Sequence, residues 1–164
     1  MAPKRKVSKK KRKRARPQPY AALQIHLTMV REPGYSVRTA PKVCSSKDCS
    51  ELLTGLQAET QEVFVAVLLN ARNACIGVCE VHRGSAVAVE VSPADVLKTA
   101  LIAGATGLIV AHNHPSGDPE PSADDLTLTS RLQRGAELIG LALLDHIIIG
   151  EGLAYVSLAD RGVL

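Results

Sequence analysis

The sequence has no tryptophan, one phenylalanine (Phe64) and three tyrosines (Tyr20, Tyr35, Tyr155). With so few rings the core must be aliphatic, and aromatic platforms for stacking nucleic-acid bases are not expected. No apolar run approaches the ~20 residues that a membrane-spanning helix needs. The basic N-terminus is followed by Arg16-Pro17-Gln18-Pro19 rather than by an apolar stretch, so it does not read as a secretory signal. A cytoplasmic protein without a membrane partner is expected. Cysteine is sparse: Cys44, Cys49, Cys75 and Cys79. Their number would suit a structural zinc site. Cys75 and Cys79, however, fall in a strand-like run, where residues four apart are separated by roughly 13 Å and cannot share an ion. Buried thiols are expected instead.

Acidic residues are missing from the first 16 positions, which carry ten Lys or Arg. The whole chain has 20 basic and 16 acidic residues, so the remainder holds ten bases against 16 acids, about −6. The basic character is therefore confined to residues 1–20, read as a disordered tail ending in a Pro-containing linker. Residues 21–164 read as one domain, and an apolar fraction of 46% is enough for a core. Residues 4–16 could contact nucleic acid non-specifically, by counterion release.

What the sequence does have is the stretch His112-Asn113-His114-Pro115-Ser116-Gly117-Asp118-Pro119-Glu120-Pro121-Ser122-Ala123-Asp124-Asp125. The short apolar run Gly107–Ala111 before it reads as a strand buried on both faces. His112 and His114 lie two apart at its end, so both imidazoles face the same way. Pro115, Gly117, Pro119 and Pro121 impose a stiff loop. Ser122 then reads as a helix N-cap, which places Asp125 in the first turn, pointing back toward the strand end. Two histidines and one aspartate are the ligand count of a catalytic zinc, which keeps a fourth position for water. Ser122 and Asp125 also resemble a capping box with Asp in place of Glu.

The flanking sequence supplies the scaffold. Alternation over Leu23–Glu32 predicts a half-buried strand. Leu52, Leu53 and Leu56 predict a short helix over 47–58. Glu62–Leu69 predicts a central strand, and Ala74–His82 a second strand forming a hairpin with it. Ala86–Val91 predicts a third. Ser92-Pro93 starts a helix with Val96, Leu97, Ala100, Leu101 and Ala103 on its apolar face, ending near Gly104. The strand over 107–112 follows that crossover helix, which predicts a place in the middle of the sheet. A second long helix is expected over 122–139, with Leu126, Leu128, Leu132, Ala136 and Ile139 inward and Gly140 as C-cap. Strands over 141–149 and 153–157 complete a mostly antiparallel sheet flanked by three helices.

A hydrolytic zinc site also needs a base. Glu62, at the mouth of an otherwise apolar strand, is the leading candidate; Glu59 and Glu80 compete on composition.

His112-Asn113-His114-Pro115-Ser116-Gly117, then Pro121-Ser122 and Asp125, with Glu62 about fifty residues upstream, resembles the JAMM signature of MPN/JAB-domain metallopeptidases. The similarity is greater to the RadC-like branch, whose wording recurs in the run to Ser122 and in Leu144-Asp145-His146-Ile147-Ile148-Ile149-Gly150. It covers roughly residues 45–158. The resemblance implies an MPN/JAB-like, cytidine-deaminase-like α/β (α+β) fold with one zinc per chain. It implies His112, His114 and Asp125 as metal ligands, Glu62 as general acid/base, and Ser122 as stabiliser of the tetrahedral oxyanion. The implied reaction is cleavage of a peptide or isopeptide bond by attack of a zinc-bound water. Pro93-Ala94-Asp95 departs from the branch's usual Pro-Arg-Glu, and the helix-hairpin-helix segment of full-length RadC proteins has no counterpart here. His146 reads as a structural polar residue at a strand start.

The competing reading is an MPN-like scaffold or DNA-repair-associated module that grips nucleic acid through its tail. A nucleobase deaminase is excluded, because its His-x-Glu and Pro-Cys-x-x-Cys are absent. His-Asn-His matches HNH nucleases in letters only, since in those the residues lie apart in a ββα unit.

Overall fold

The branched aliphatic run after Glu62 forms strand β1 (Glu62–Leu69), every residue of which beyond the first is buried. In the computed structural model, which describes residues 40–84 and 91–164, β1 pairs antiparallel with β2 (Cys75–Gly84) on one side and with β3 (Gly107–Asn113) on the other. β3 pairs parallel with β4 (Ala142–Ile149), and β4 antiparallel with β5 (Tyr155–Ser157). The order β2-β1-β3-β4-β5 puts β3 at the centre, where a strand entered from a crossover helix was expected. The result is a mixed, mostly antiparallel sheet with three α-helices packed on it, the architecture expected from the sequence.

Side-chain alternation gives the sheet two apolar faces. Val63, Val65, Val67, Leu69, Ile109, Ala111, Ile147 and Ile149 pack on one side with Cys49 and Leu53, from and just beyond helix α1 (Ser46–Leu52). Phe64, Ala66, Leu68, Leu108 and Val110 pack on the other, under α2 (Pro93–Ala103) and α3 (Ala123–Leu138). With both faces covered, β1 and β3 are continuous apolar runs.

The structure departs from expectation in several places. The helix expected over 47–58 is α1 followed by a separate 3-10 helix, Thr54–Ala58. The break falls at Leu53, two residues before Gly55, and glycine costs an α-helix interior about 1 kcal/mol relative to alanine. The inner stripe of α3 is Asp125, Thr129, Leu132 and Ala136. Leu126 and Ile139, expected inward, are about two-fifths exposed. Leu101 of α2, also expected inward, is 55% exposed. Cys49 and Cys75 are buried thiols, but Cys44 is exposed. The tail, the strand expected over 23–32 and that over 86–91 as far as residue 90 lie outside the described residues. Among the described residues no helix is long and apolar enough to cross a membrane.

Candidate metal centre

The centre lies where β3 runs out under α3. Leu108 and Val110 face α2 and α3, and the two-residue period carries His112 and His114 to the same side. His112 is fully buried and stacks on Phe64 with ring centroids 5.8 Å apart. Its Nε2 is 3.0 Å from Nε2 of the partly buried His114. The first turn of α3 brings Asp125 Oδ1 to 3.2 Å from His112 Nε2, and Oδ2 to 3.5 Å from His114 Nε2. Among the described residues these three form a group able to hold a metal ion, with ligand atoms within 4.8 Å of one another.

The partners on the far side of each ring decide which nitrogens are bare. His114 Nδ1 is 2.8 Å from the Asp118 carbonyl, which can only accept, so Nδ1 carries the hydrogen. Thr129 Oγ1 donates its single hydrogen to the Asp125 backbone carbonyl at 2.6 Å. It must therefore accept from His146 Nδ1, also 2.6 Å away. Burial, reinforced by the charge His112 would carry, pushes the His146 pKa down to about 3, so this ring is neutral and its Nε2 is bare. That Nε2 accepts from His112 Nδ1 at 3.0 Å. With Nδ1 engaged on the far side, each of these two histidines turns its Nε2 toward Asp125, and that nitrogen is bare whenever the ring is neutral.

Two imidazole lone pairs and a carboxylate repel one another unless a cation or a shared proton sits among them. A tetrahedral zinc with bonds near 2.1 Å spaces its ligands roughly 3.4 Å apart. The two nitrogens are 3.0 Å apart, and the carboxylate meets them with different oxygens, Oδ1 at 3.2 Å from His112 and Oδ2 at 3.5 Å from His114, so the donor groups stand near that spacing. A proton shared with the carboxylate relieves the same repulsion. The hydrogen bond to Asp125 then raises the His114 pKa above its ordinary value, against burial, with smaller help from the Asp118 carbonyl and the charge of Glu62. Burial pushes Asp125 up, but His112, His114 and Ser122 together hold it well below the usual carboxylate range.

The sequence profile of the RadC-like JAB domain matches residues 43–163. The chain belongs to the RadC-like JAB-domain family. Its similar relatives include the UPF0758 protein of Clostridium beijerinckii, 42% identical over 124 residues, which are 75% of this chain and 54% of that protein. That of Methanosarcina barkeri is 43% identical over 122 residues, 74% of this chain and 53% of the relative. That of Syntrophotalea carbinolica is 46% identical over 109 residues, 66% of this chain and 48% of the relative. The chain thus spans about half the length of the curated relatives it matches.

Within this JAB domain, Ser122 and Asp125 form a full capping box. Ser122 Oγ accepts from Asp125 N at 3.1 Å, and Asp125 Oδ2 accepts from Ser122 N at 2.8 Å. Ser122 Oγ also donates to Oδ2 at 2.6 Å, so its one hydrogen is turned to Asp125 and must rotate to reach an oxyanion. Glu62 shares the sheet face of Phe64 and His112, because Val63 and Val65 take the opposite one. The β1–β3 register pairs Phe64 with His112, and the charge of Glu62, two residues before Phe64, is felt at His114. Its competitors are engaged elsewhere: Arg83 bonds Glu59 and, at 2.8 Å, Glu80. Asp95, in the variant Pro-Ala-Asp, forms an exposed ion pair with Lys98 at 2.7 Å.

The loop between the histidines and α3 is tied down along its length. His114 N donates to Ile149 O at 2.9 Å, and Glu151 N donates to Gly117 O at 2.9 Å. Arg161 grips Glu120 with two hydrogen bonds of 2.7 and 2.8 Å.

Sequence reasoning missed three residues. Asn113 is buried: its Oδ1 accepts from Val63 N at 2.8 Å and its Nδ2 donates to Gln61 O at 3.0 Å, fixing the chain on either side of Glu62. Thr129 lies one turn after Asp125, a spacing that puts both on one face of α3. His146 lies inside β4 rather than at its start, and touches His112.

Proposed function

We propose that this chain is a zinc-dependent hydrolase of the JAMM type, acting on a peptide or isopeptide bond. The observation that carries the proposal is the convergence of three donor groups, His112, His114 and Asp125, whose ligand atoms lie within 4.8 Å of one another. A zinc ion held there would polarise the scissile carbonyl and lower the pKa of a water molecule. Glu62, on the same sheet face, takes a proton from the attacking water as its oxygen bonds to the carbonyl carbon. It returns that proton to the amine nitrogen as the C–N bond breaks. The Ser122 hydroxyl swings from Asp125 to donate to the oxyanion, a contact of the kind that contributes a few kcal/mol, about 3, to the transition state. Asn113 holds the backbone around Glu62.

Elemental analysis of the purified protein and of His114→Ala tests the metal. The expected result is about one zinc per chain in the former and none in the latter. A screen of isopeptide-linked substrates, with Glu62→Gln as the control that keeps zinc and loses turnover, tests the reaction. Failure of the protein to take up zinc on reconstitution would sink the proposal.

A second reading rests on the ten Lys or Arg among residues 1–16. In it the domain is a scaffold that reaches nucleic acid through this tail. Binding should then weaken steeply with salt and disappear when residues 1–16 are removed. Salt-insensitive binding, or binding that survives the deletion, would discard it.

A further inference from the structure

We infer that His146 and Thr129 act as a tautomer lock, two positioning residues that keep the metal-facing nitrogen of His112 free of its proton. The inference rests on the metal-centre reading above and adds a role to residues outside the ligand set.

Four groups form one directed chain. His112 Nδ1 donates to His146 Nε2 at 3.0 Å, His146 Nδ1 to Thr129 Oγ1 at 2.6 Å, and Thr129 Oγ1 to the Asp125 carbonyl at 2.6 Å. The direction is set at the far end, because a carbonyl can only accept and the hydroxyl has one hydrogen to give. Each link then dictates the next, back to His112. His112, Thr129 and His146 are essentially inaccessible to solvent, so water cannot substitute for a missing partner at low cost. The chain closes on the protein's own ligand set: it starts on the ring of one ligand and ends on the backbone of another.

The lock works against a real competitor. Asp125 Oδ1 lies 3.2 Å from His112 Nε2 and would welcome a hydrogen there. That tautomer leaves Nδ1 bare and requires His146 to present Nε2–H, which in turn leaves His146 Nδ1 without a hydrogen to give Thr129. The threonine cannot turn to fill the gap without abandoning the Asp125 carbonyl. Partners of this kind, beyond the ligands themselves, typically change metal affinity by about 10–100-fold.

Thr129→Val tests the lock, since valine keeps the shape and β-branching of threonine and removes only the hydroxyl. Zinc affinity is read by competition with a chromophoric chelator, and the His112 tautomer by nitrogen-15 NMR of the metal-free protein. The expected result is a loss of about 10–100-fold in zinc affinity, with His112 moving from the Nδ1–H to the Nε2–H form, and recovery of both in Thr129→Ser. Unchanged affinity and an unchanged tautomer in Thr129→Val would overturn the lock and leave the metal centre standing. A weakened affinity with the tautomer unchanged would also overturn it, as a packing effect. No zinc binding by the wild-type protein would overturn the centre and the lock together.

Discussion

Gly150 provides a test of how tightly the metal loop is held. An alanine Cβ there would stand 2.4 Å from the Gly117 carbonyl oxygen and 2.8 Å from Pro119 Cδ, where ordinary contact begins at 3.4 Å. The loop must therefore retreat by roughly 1 Å to restore van der Waals contact. Gly150 is not among the glycines with positive φ, so the penalty is one of contact and not of backbone conformation. The retreat strikes the Glu151 N to Gly117 O bond and, one residue on, the Asp118 carbonyl that fixes the His114 ring. Overpacking of this kind costs about 1–3 kcal/mol. For a chain of this size that is a fall in Tm of roughly 3–10 °C. Loss of the His114 anchor should also weaken zinc by about 10-fold or more. The assay is thermal unfolding of the metal-free protein beside a zinc competition titration. Gly152 is the control: it has φ 62° and nothing within 4 Å of its Cβ position, so alanine there strains the backbone without touching the loop. Gly152→Ala should lower Tm by a few degrees and leave zinc affinity intact. Wild-type affinity in Gly150→Ala, or an equal loss in Gly152→Ala, would refute the reasoning.

Zinc at 100 times its dissociation constant should stabilise the protein by about 2.7 kcal/mol, raising Tm by roughly 5–10 °C. A chelator should reverse the shift, and a shift of the same size in His114→Ala would show that zinc binds elsewhere. Asp125→Asn should keep the capping box, since the amide oxygen can still accept from Ser122. It should leave metal-free stability within about 1 kcal/mol of wild type while abolishing stoichiometric zinc, and retained zinc would remove Asp125 from the ligand set. Asp145→Ala should cost about 3 kcal/mol in urea unfolding, because the buried carboxylate accepts from His146 N, Ala159 N and Ser157 Oγ at 2.7, 3.0 and 2.6 Å. A cost under about 1 kcal/mol would mean that water replaces it.

The strands and helix starts were legible because their signals are local. β1 is a run of branched aliphatics that forms no other element well, and Ser92-Pro93 and Ser122 mark helix entries by the hydrogen bonds and φ they allow. Hydrophobicity located Leu132 and Ala136 on the inner face of α3 but not its N-terminal half. Its stripe at 125, 129, 132 and 136 has the helical period, but its first two members are polar, so a search for apolar residues moved to Leu126. The same bias placed His146 as a structural polar residue at a strand start, although it lies inside β4 among aliphatic residues with His112 as its partner. Pattern gives the position of a residue on a face. Whether a polar residue there is tolerated depends on partners contributed by other elements, and these lie 17 residues away for Thr129–His146 and 50 for Val63–Asn113.

Ser122 and Asp125 show why the capping and the ligand readings of one motif need not compete. A carboxylate has two oxygens, and α3 uses them differently. Oδ2 takes the Ser122 amide at 2.8 Å and the Ser122 hydroxyl at 2.6 Å, which satisfies the helix start and fixes the carboxylate plane. Oδ1 is thereby held toward His112 Nε2, at 3.2 Å. Asp at this third helical position is one methylene shorter than the Glu of the common capping box, so its carboxylate stays close to the helix end while still closing the box. The residue is also nearly buried, at 9% exposure, which raises the cost of leaving its charge unpaired. The positive end of the helix dipole offsets part of that cost, and a metal ion would offset more. Folding the first turn of α3 is then the same event as aiming the carboxylate at the two histidines, and this is why a loop of four prolines and glycines can separate the three candidate ligands without loosening the site.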